Sequence, residues 1–153
     1  MPVAIRPATA ADLSTLRTFE QGVIAAERPY DPTLRPDPIR YYDLEAPLAS
    51  SDAELLVAED DGLVGSGYVR LDKAQPFLSH ARHGYVGFIF VVPQRRGQWI
   101  SGAVIHALGA WAAARGVHEL RLEVYPGNTA AVRAYEKLGF APYLLTMRLR
   151  TEG

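Results

Sequence analysis

Two stretches of the sequence carry residue types that suit binding of an anionic ligand. In "VVPQRRGQWISGAV", Val91 to Val104, an apolar strand pattern ends at a proline, passes two arginines and a glycine, and enters a helical pattern at Trp99. The first N–H groups of a helix have no partner inside it, and with the helix dipole they favour an anion such as a diphosphate. The alternative is that Arg95 and Arg96 form only a solvated turn.

The second stretch is "VYPGNTAAVRAYEKLGF", which predicts a helix with Asn128 as its N-cap and Gly139 just past its end. Tyr135 lies seven residues after Asn128, about two helical turns on and on nearly the same side. The spacing therefore places a phenol on the side of the helix that its capping residue faces. The alternative is that Tyr135 packs on a sheet.

The residues before these stretches predict a strand, a helix and a long proline-rich segment. The stretch "VAIRPAT" predicts a first strand, after which Thr9 and Asp12 form a capping pair for a helix that ends near Ala26. Residues 28–51 contain five prolines, and their pattern predicts a short helix around residues 39–48. This segment is too long for a plain connector, so we expect a functional loop or cover.

A mixed sheet follows from the rest of the pattern. Asp61-Gly62 between "ELLVAED" and "LVGSGYVRL" predicts a hairpin with a type I′ turn. A strand over 85–92, covered on both faces, a helix from about Trp99 to Arg115 and a strand over 119–125 form a βαβ unit. "YLLTMRLR" predicts a last strand. The fold class is therefore α/β (α+β), a mostly antiparallel mixed sheet with a parallel βαβ core and helices on both faces.

Composition limits the classes of protein and partner. A length of 153 residues, with 48% apolar and 22% charged residues, predicts a single globular domain over residues 1–153. A net charge of -1 argues against a nucleic-acid binder, and the absence of cysteine excludes protein thiolate chemistry. No apolar run reaches about 18 residues, so we expect no membrane span and a cytoplasmic location.

The pairing of "VVPQRRGQWIS" with "NTAAVRAYEKLGF" resembles the GNAT superfamily of acetyl-CoA-dependent N-acetyltransferases over most of the chain. The family's cofactor-loop signature is Gln or Arg, two variable residues, Gly, one variable residue, then Gly or Ala. It falls here on Arg96 to Ser101, with Trp99 and Ser101 at the two small positions. The resemblance implies acetyl-CoA as co-substrate, CoA as product, and cofactor contacts from Ile89, Phe90, Val91, Arg96, Gly97, Gln98, Trp99, Ile100, Ser101, Gly102, Asn128 and Tyr135.

Trp99 is the largest departure from that signature. Helical spacing puts it off the stripe of Ile100, Val104, Leu108 and Trp111, so we expect no core contact. Helical φ is negative and does not require glycine, so we expect its N–H to serve the phosphates while the ring turns outward over the cofactor or a neighbouring loop.

The resemblance also implies roles in catalysis. Tyr135 would sit near the sulfur, and a phenol of pKa about 10 can protonate a thiolate of pKa about 8.5 if the site favours it. An amine of pKa about 10.4 is almost fully protonated at pH 7, so a base or desolvation is needed. Glu123 resembles the position of a glutamate base in peptide N-terminal acetyltransferases, and Glu27 and His83 are further base candidates.

The proline-rich segment lies where this family builds its acceptor pocket, and its tyrosines and acids, Tyr30 and Tyr42 among them, suit a cationic amine. The alternative is a cover that packs on the core. His80, His106 and His118 show no metal-ligand spacing, so we expect no metal. The expected activity is acetyl transfer to a primary amine of a small molecule or peptide by direct attack in a ternary complex. The alternatives are a non-catalytic acyl-CoA-binding module and, for assembly, a homodimer paired through the last strand.

Overall fold

The computed structural model describes residues 3–152, in a larger compact unit that runs to Glu123 and a smaller one that begins at Val124. The larger unit holds a five-stranded sheet of order β1-β2-β3-β4-β5. Its strands are β1 (Ala4–Pro7), β2 (Ala53–Glu59), β3 (Leu63–Lys73), β4 (Arg82–Val91) and β5 (Leu120–Arg121). The first three pairings are antiparallel and β4 pairs with β5 in parallel, which confirms the mixed, mostly antiparallel sheet.

Helices cover both faces of this sheet, as predicted. The larger unit contains α1 (Leu13–Glu27), α2 (Ala46–Ala49) and α3 (Ile100–Ala113), and the smaller unit contains α4 (Thr129–Lys137). Alternate β2 residues point to opposite faces, so Leu55 and Val57 pack with α1 whereas Leu56 and Ala58 pack with α3. None of the helices within residues 3–152 is long and apolar enough to cross a membrane.

A bulge in β4 shapes the centre of the sheet. Tyr68 pairs with Gly87 and Ser66 pairs with Phe90, which leaves Phe88 and Ile89 together opposite Gly67. Phe88 adopts a φ of 58° and is buried in the core beside α1. The bulge turns the end of β4 relative to its beginning.

The start of α1 is tied to the sheet by an ion-pair network. Arg6 on β1 contacts Asp12 at 2.9 Å and Glu59 at 3.1 Å. Asp12 also accepts the Thr9 N–H at 2.8 Å, which confirms the predicted capping pair. The Arg6 guanidinium lowers the pKa of Asp12 from 3.8 to about 2, so this buried carboxylate stays ionised well into the acid range.

The hairpin between β2 and β3 confirms the predicted turn. Asp61 has a φ of 52° and Gly62 a φ of 104°, and a type I′ turn requires positive φ at both central residues. The short helix predicted over 39–48 is smaller and later than expected, since α2 covers only Ala46–Ala49. The helix predicted from Trp99 to Arg115 is confirmed, although α3 is slightly shorter at both ends and runs over Ile100–Ala113.

Two predicted strands differ from the structure. The strand expected over 119–125 pairs only at Leu120 and Arg121, because β4 bulges shortly after their partners Gly84 and Tyr85. Residues 141–152 have no strand, although apolar and polar residues alternate there. Alternation creates a strand only where an edge accepts its hydrogen bonds, and no described ladder includes these residues. Their pairing across a dimer and the single domain over 1–153 stay predictions.

Candidate active site

The corner between β4 and α3 is closed by short polar contacts. β4 ends at Val91, a short turn covers Pro93–Arg95, and α3 begins at Ile100. Arg95 donates to Asp60 in the β2–β3 turn at 2.9 Å and to Gln98 at 2.6 Å. Arg95 is therefore an internal brace of the corner rather than part of a solvated turn.

Arg96 differs from its neighbour. Its side chain is exposed, and its Nε donates to the Val91 carbonyl at 3.2 Å. The rest of the guanidinium faces solvent beside the end of β4. Arg96 is thus the cation of this corner that is available to a ligand.

The segment from Gly97 to Gly102 presents a run of free backbone donors. Within the described residues, no hydrogen bond outside the regular elements uses an N–H of 97–102. The first N–H groups of α3 have no acceptor inside the helix by its geometry. A φ of 78° at Gly97 turns the chain into this run, a conformation that glycine adopts without a steric penalty. The corner therefore offers the backbone donors that an anion site needs, and anion binding itself stays a prediction.

Trp99 does not adopt the predicted helical φ. It is the N-cap of α3 with a φ of 62° and a ψ of 22°, in the left-handed region, so the expectation of negative φ was wrong. The reason is that the chain must reverse just before α3, which is what a glycine at this position would allow. The position requires positive φ, which glycine adopts freely, so the backbone of Trp99 is strained there.

The Trp99 ring lies against the backbone of Gly102 one helical turn later. A Cβ atom added to Gly102 would stand 2.5 Å from Trp99 Cε2, so a larger residue at 102 would displace the indole. The ring is 64% exposed, which confirms that it is not a core anchor. The expectation was that the ring turns outward over the cofactor or a neighbouring loop; the ring is exposed and covers part of the first turn of α3, and contact with a cofactor stays a prediction.

A row of three tyrosines, Tyr42, Tyr68 and Tyr85, forms a second cluster in the larger unit, with Glu27 beside its first member and Glu123 beside its last. The Tyr42 and Tyr68 rings meet edge-on with centres 5.6 Å apart. The Tyr85 hydroxyl donates to Glu123 Oε1 at 2.8 Å. We call these three residues the tyrosine row.

The two acids lie in different surroundings. Burial raises the pKa of Glu27, and a hydrogen bond with the Tyr41 hydroxyl partly offsets that rise. Burial also raises the pKa of Tyr42, and the negative charge of Glu27 raises it further. Burial and the hydrogen bond to Glu123 raise the pKa of Tyr85. The tyrosines of the row are therefore neutral hydrogen-bonding groups between two carboxylates.

Buried Glu20 holds the segment that carries Tyr41 and Tyr42. Its side chain is 0% exposed, and its Oε2 accepts the backbone N–H groups of Tyr41 at 2.8 Å and of Tyr42 at 2.7 Å. An open pocket of about 330 Å³ lies beside the same segment, with Arg17 and Glu45 in its lining. Glu20 therefore fixes the tyrosines of the cover against α1.

The remaining predicted acceptor residues lie elsewhere. Tyr30 ends a short turn after α1 and is 39% exposed. His83 lies near the start of β4 in a group with His80 and Glu119, not in the tyrosine row. The structure therefore brings together Glu27, Tyr42 and Glu123 through the tyrosine row and leaves Tyr30 and His83 outside it.

The smaller unit contains the second motif. Asn128 Oδ1 accepts the Ala131 N–H at 3.3 Å, and Gly139 has a φ of 103° after the helix, which confirms both predicted ends of α4. The Tyr135 ring meets that of Phe140 edge-on at 5.9 Å. The phenol is thus held by the turn that follows its own helix.

Comparison with known families decides the identity of this fold. The model of the acetyltransferase (GNAT) family matches residues 21–140, most of the chain. The chain belongs to this family. No curated protein sequence matches this GNAT chain significantly.

Solved structures support the same fold. A mutant of the BH1408 protein from Bacillus halodurans is 21% identical with a TM-score of 0.87, covering 97% of this chain and 99% of that one. A predicted acetyltransferase with acetyl-CoA from Clostridium acetobutylicum is 19% identical with a TM-score of 0.76, covering 97% and 96%. AAC(6')-Iy, in complex with the bisubstrate analog CoA-S-monomethyl-acetylneamine, is 20% identical with a TM-score of 0.75 over 100% of both chains.

Sequence reasoning missed three residues of this candidate site. Tyr68 and Tyr85 join the tyrosine row through the pairing of β3 with β4, and the sequence carries no signal for that register. Glu20 did carry a signal, because it falls on the apolar stripe of Leu16, Phe19 and Val23 in α1. An acid on a buried stripe indicates a buried hydrogen-bond acceptor.

Proposed function

We propose that this protein transfers the acetyl group of acetyl-CoA to a primary amine of a small molecule or peptide. The observation that carries the proposal is the run of free N–H groups over 97–102 at the start of the 14-residue helix α3. Such a run binds a diphosphate, and the family of the chain uses a cofactor that carries one. The acetyl-CoA and CoA analogue named for the two solved neighbours support the same cofactor.

The end of β4 is the proposed seat of the pantetheine arm and the thioester. β4 pairs with β5 only at Gly84 and Tyr85, so the facing edge of β4 from Val86 to Val91 has no strand partner among residues 3–152. Ile89, Phe90 and Val91 can offer backbone N–H and C=O groups there. The exposed Arg96 guanidinium and the donors of residues 97–102 then take the diphosphate, and Asn128 completes the cofactor contacts.

The tyrosine row is the proposed acceptor site. Three neutral aromatic rings between two carboxylates suit an alkylammonium group, because ring faces and carboxylates both attract a cation. Glu27 binds the ammonium form, and Tyr42 lines the path beside it. Tyr30 and His83 are the outer candidates for contact with a longer acceptor.

The proposed reaction is a direct attack in a ternary complex. Glu123 takes one proton from the ammonium group, and the free amine nitrogen attacks the thioester carbonyl carbon to form a tetrahedral intermediate. Collapse of the intermediate breaks the carbon–sulfur bond and expels the CoA thiolate. Tyr135 donates a proton to that thiolate, and the second amine proton leaves to solvent. The chain has no cysteine, so no protein thiol carries the acetyl group.

The test is turnover of acetyl-CoA with a panel of primary amines, read as free thiol and as acetylated product by mass spectrometry. We expect thiol release that depends on one class of amine and falls about 100-fold in Tyr135→Phe, the size of one general-acid contribution. Binding of acetyl-CoA without amine-dependent thiol release would instead support the non-catalytic module. Unchanged turnover in Tyr135→Phe would remove that residue as the acid.

A further inference from the structure

Two histidines and a glutamate form a cluster outside the tyrosine row. Of the three, only His83 was given a role above, as an outer candidate for contact with a longer acceptor. One ligand atom from each of His80, His83 and Glu119 lies within 4.8 Å of the others. His80 Nε2 lies 3.8 Å from Glu119 Oε2. Two imidazoles and a carboxylate are a ligand set that borderline divalent metals use in proteins.

The fold holds these residues on fixed backbone. His80 lies in the loop between β3 and β4, which is closed by the Ala74 N–H to the Ala81 carbonyl at 2.9 Å. His83 is the second residue of β4. The Gly84 N–H donates to the Glu119 carbonyl at 2.8 Å, which fixes the glutamate beside the start of β4. The three side chains therefore converge from three segments without a free chain end.

The imidazole nitrogens carry the second observation. His80 Nε2 and His83 Nδ1 are both buried and have no hydrogen-bond partner among residues 3–152. Buried polar atoms are nearly always paired, so two unpaired nitrogens beside one carboxylate require an explanation.

We propose that His80, His83 and Glu119 bind one divalent transition metal, with Zn²⁺ the best fit to the ligand set. Tetrahedral Zn²⁺ with bonds of about 2.1 Å holds its ligand atoms about 3.4 Å apart, so atoms that lie within 4.8 Å of one another must close by up to about 1.4 Å. The Glu119 side chain is 44% exposed and that of His80 is 30% exposed, so both have room to move. Water completes the coordination, and the metal clamps the β3–β4 loop to the start of β5.

Arg121 sets the strength of this site. Its Nε donates to Glu119 Oε2 at 2.6 Å, so a metal must displace or share that contact. The guanidinium acts as an internal competitor for the carboxylate. Removal of the competitor should therefore strengthen metal binding, an effect that adventitious binding to surface histidines would not show.

The experiment is a Zn²⁺ titration of untagged protein against a chromophoric chelator, with the thermal midpoint as a second readout. We expect one Zn²⁺ per chain with a Kd below about 10 μM and a midpoint raised by about 5 °C at 100-fold excess over Kd. His80→Gln or His83→Gln should weaken binding at least 30-fold, and Arg121→Gln should tighten it about tenfold. His106→Gln, an exposed histidine on α3, is the matched control and should change nothing.

Equal loss in the His106→Gln control, or a Kd above about 100 μM, would overturn the proposal. If a histidine variant fails to fold, the site can still be tested in the wild-type protein, by following its histidine ring NMR signals as Zn²⁺ is added. Zn²⁺ should shift those of His80 and His83 and leave those of His106 in place, and the reverse result contradicts the site. The proposal does not depend on acetyl transfer, so failure of either one leaves the other testable.

Discussion

Glu27 and Glu123 lie in different surroundings, which suit the different tasks proposed for them. Glu27 is half-buried at the end of α1, and burial raises its pKa. Glu123 is exposed and accepts the Tyr85 hydroxyl at 2.8 Å. A desolvated carboxylate gains most by pairing with a cation, whereas a solvent-connected one can pass a proton onward. We therefore assign ammonium binding to Glu27 and the base to Glu123.

Glu27→Gln should raise KM for the amine at least tenfold at pH 8 and leave kcat within about threefold. The carboxylate binds the cation only when ionised, and its folded pKa lies above the ordinary value. Wild-type amine affinity should therefore fall as pH drops through that raised pKa, until wild type and variant converge. Steady-state kinetics from pH 4.5 to 8.5 on a good amine measures both effects.

Glu123→Gln is the matched variant for this prediction. It should lower kcat by about 100-fold or more with a small change in KM, because a base acts in the transition state. An increase in KM without loss of kcat in this variant would contradict the role of Glu123 as base and indicate that it binds the ammonium group instead. Loss of both parameters in both variants would mean that neither residue has a separate role.

Single residues also show where sequence reasoning succeeds. Asn128, Gly139 and the Thr9–Asp12 pair were predictable because caps depend on contacts between near neighbours in the chain. The tyrosine row was not, since Tyr68 and Tyr85 meet only through a pairing that contains a bulge. His80 and Glu119 lie far apart in the chain, so their cluster also lacked a sequence signal.

At the scale of elements, the start of α3 carries stored strain. Trp99 occupies the left-handed region, which costs a non-glycine residue about 1–2 kcal/mol. Its indole covers the backbone of Gly102, and that contact offsets part of the cost. The family signature places a small residue here, and the positive φ is the physical reason.

Trp99→Gly and Trp99→Ala separate the strain from the ring contact. Both lose the indole, but only glycine relieves the backbone, so Trp99→Gly should be more stable than Trp99→Ala by about 1 kcal/mol. Denaturant unfolding gives this difference. Calorimetric titration of CoA should give a Kd for Trp99→Gly within about threefold of wild type, because the N–H donors stay in place.

A CoA Kd for Trp99→Gly outside that threefold range would give the indole a role in cofactor binding. A gain of tenfold or more in CoA affinity would show that the indole obstructs the site. A loss of tenfold or more would show that the ring contacts the cofactor. Equal stability of the two variants would contradict the strain itself.

Elements that depend on distant partners were the ones that sequence reasoning misjudged. The strand over 119–125 was predicted from alternation, yet the bulge at Phe88 in another strand ends its pairing after two residues. The alternation in "YLLTMRLR" likewise says which side chains share a face, but not which edge accepts the hydrogen bonds. The helices and the Asp61-Gly62 hairpin were predictable because their signals are local.

The whole larger unit brings two features to one corner. These are the edge of β4 after Tyr85, which has no strand partner among the described residues, and the N-terminus of α3. The mixed sheet was predictable from the succession of patterns, since a strand, a helix and a strand in sequence form a parallel pair. The family match extends over residues 21–140 and so takes in both described units. Membership of the family makes acetyl-CoA the ligand with which to test the corner.

The most direct test of the central claim is an NMR titration of backbone amides with CoA. We predict the largest amide shifts at residues 97–102, because their N–H groups hold the diphosphate, and smaller shifts at Ile89 to Val91 along the pantetheine arm. Inorganic pyrophosphate should shift the first group alone. Binding of CoA that leaves the amides of residues 97–102 unshifted would contradict the account.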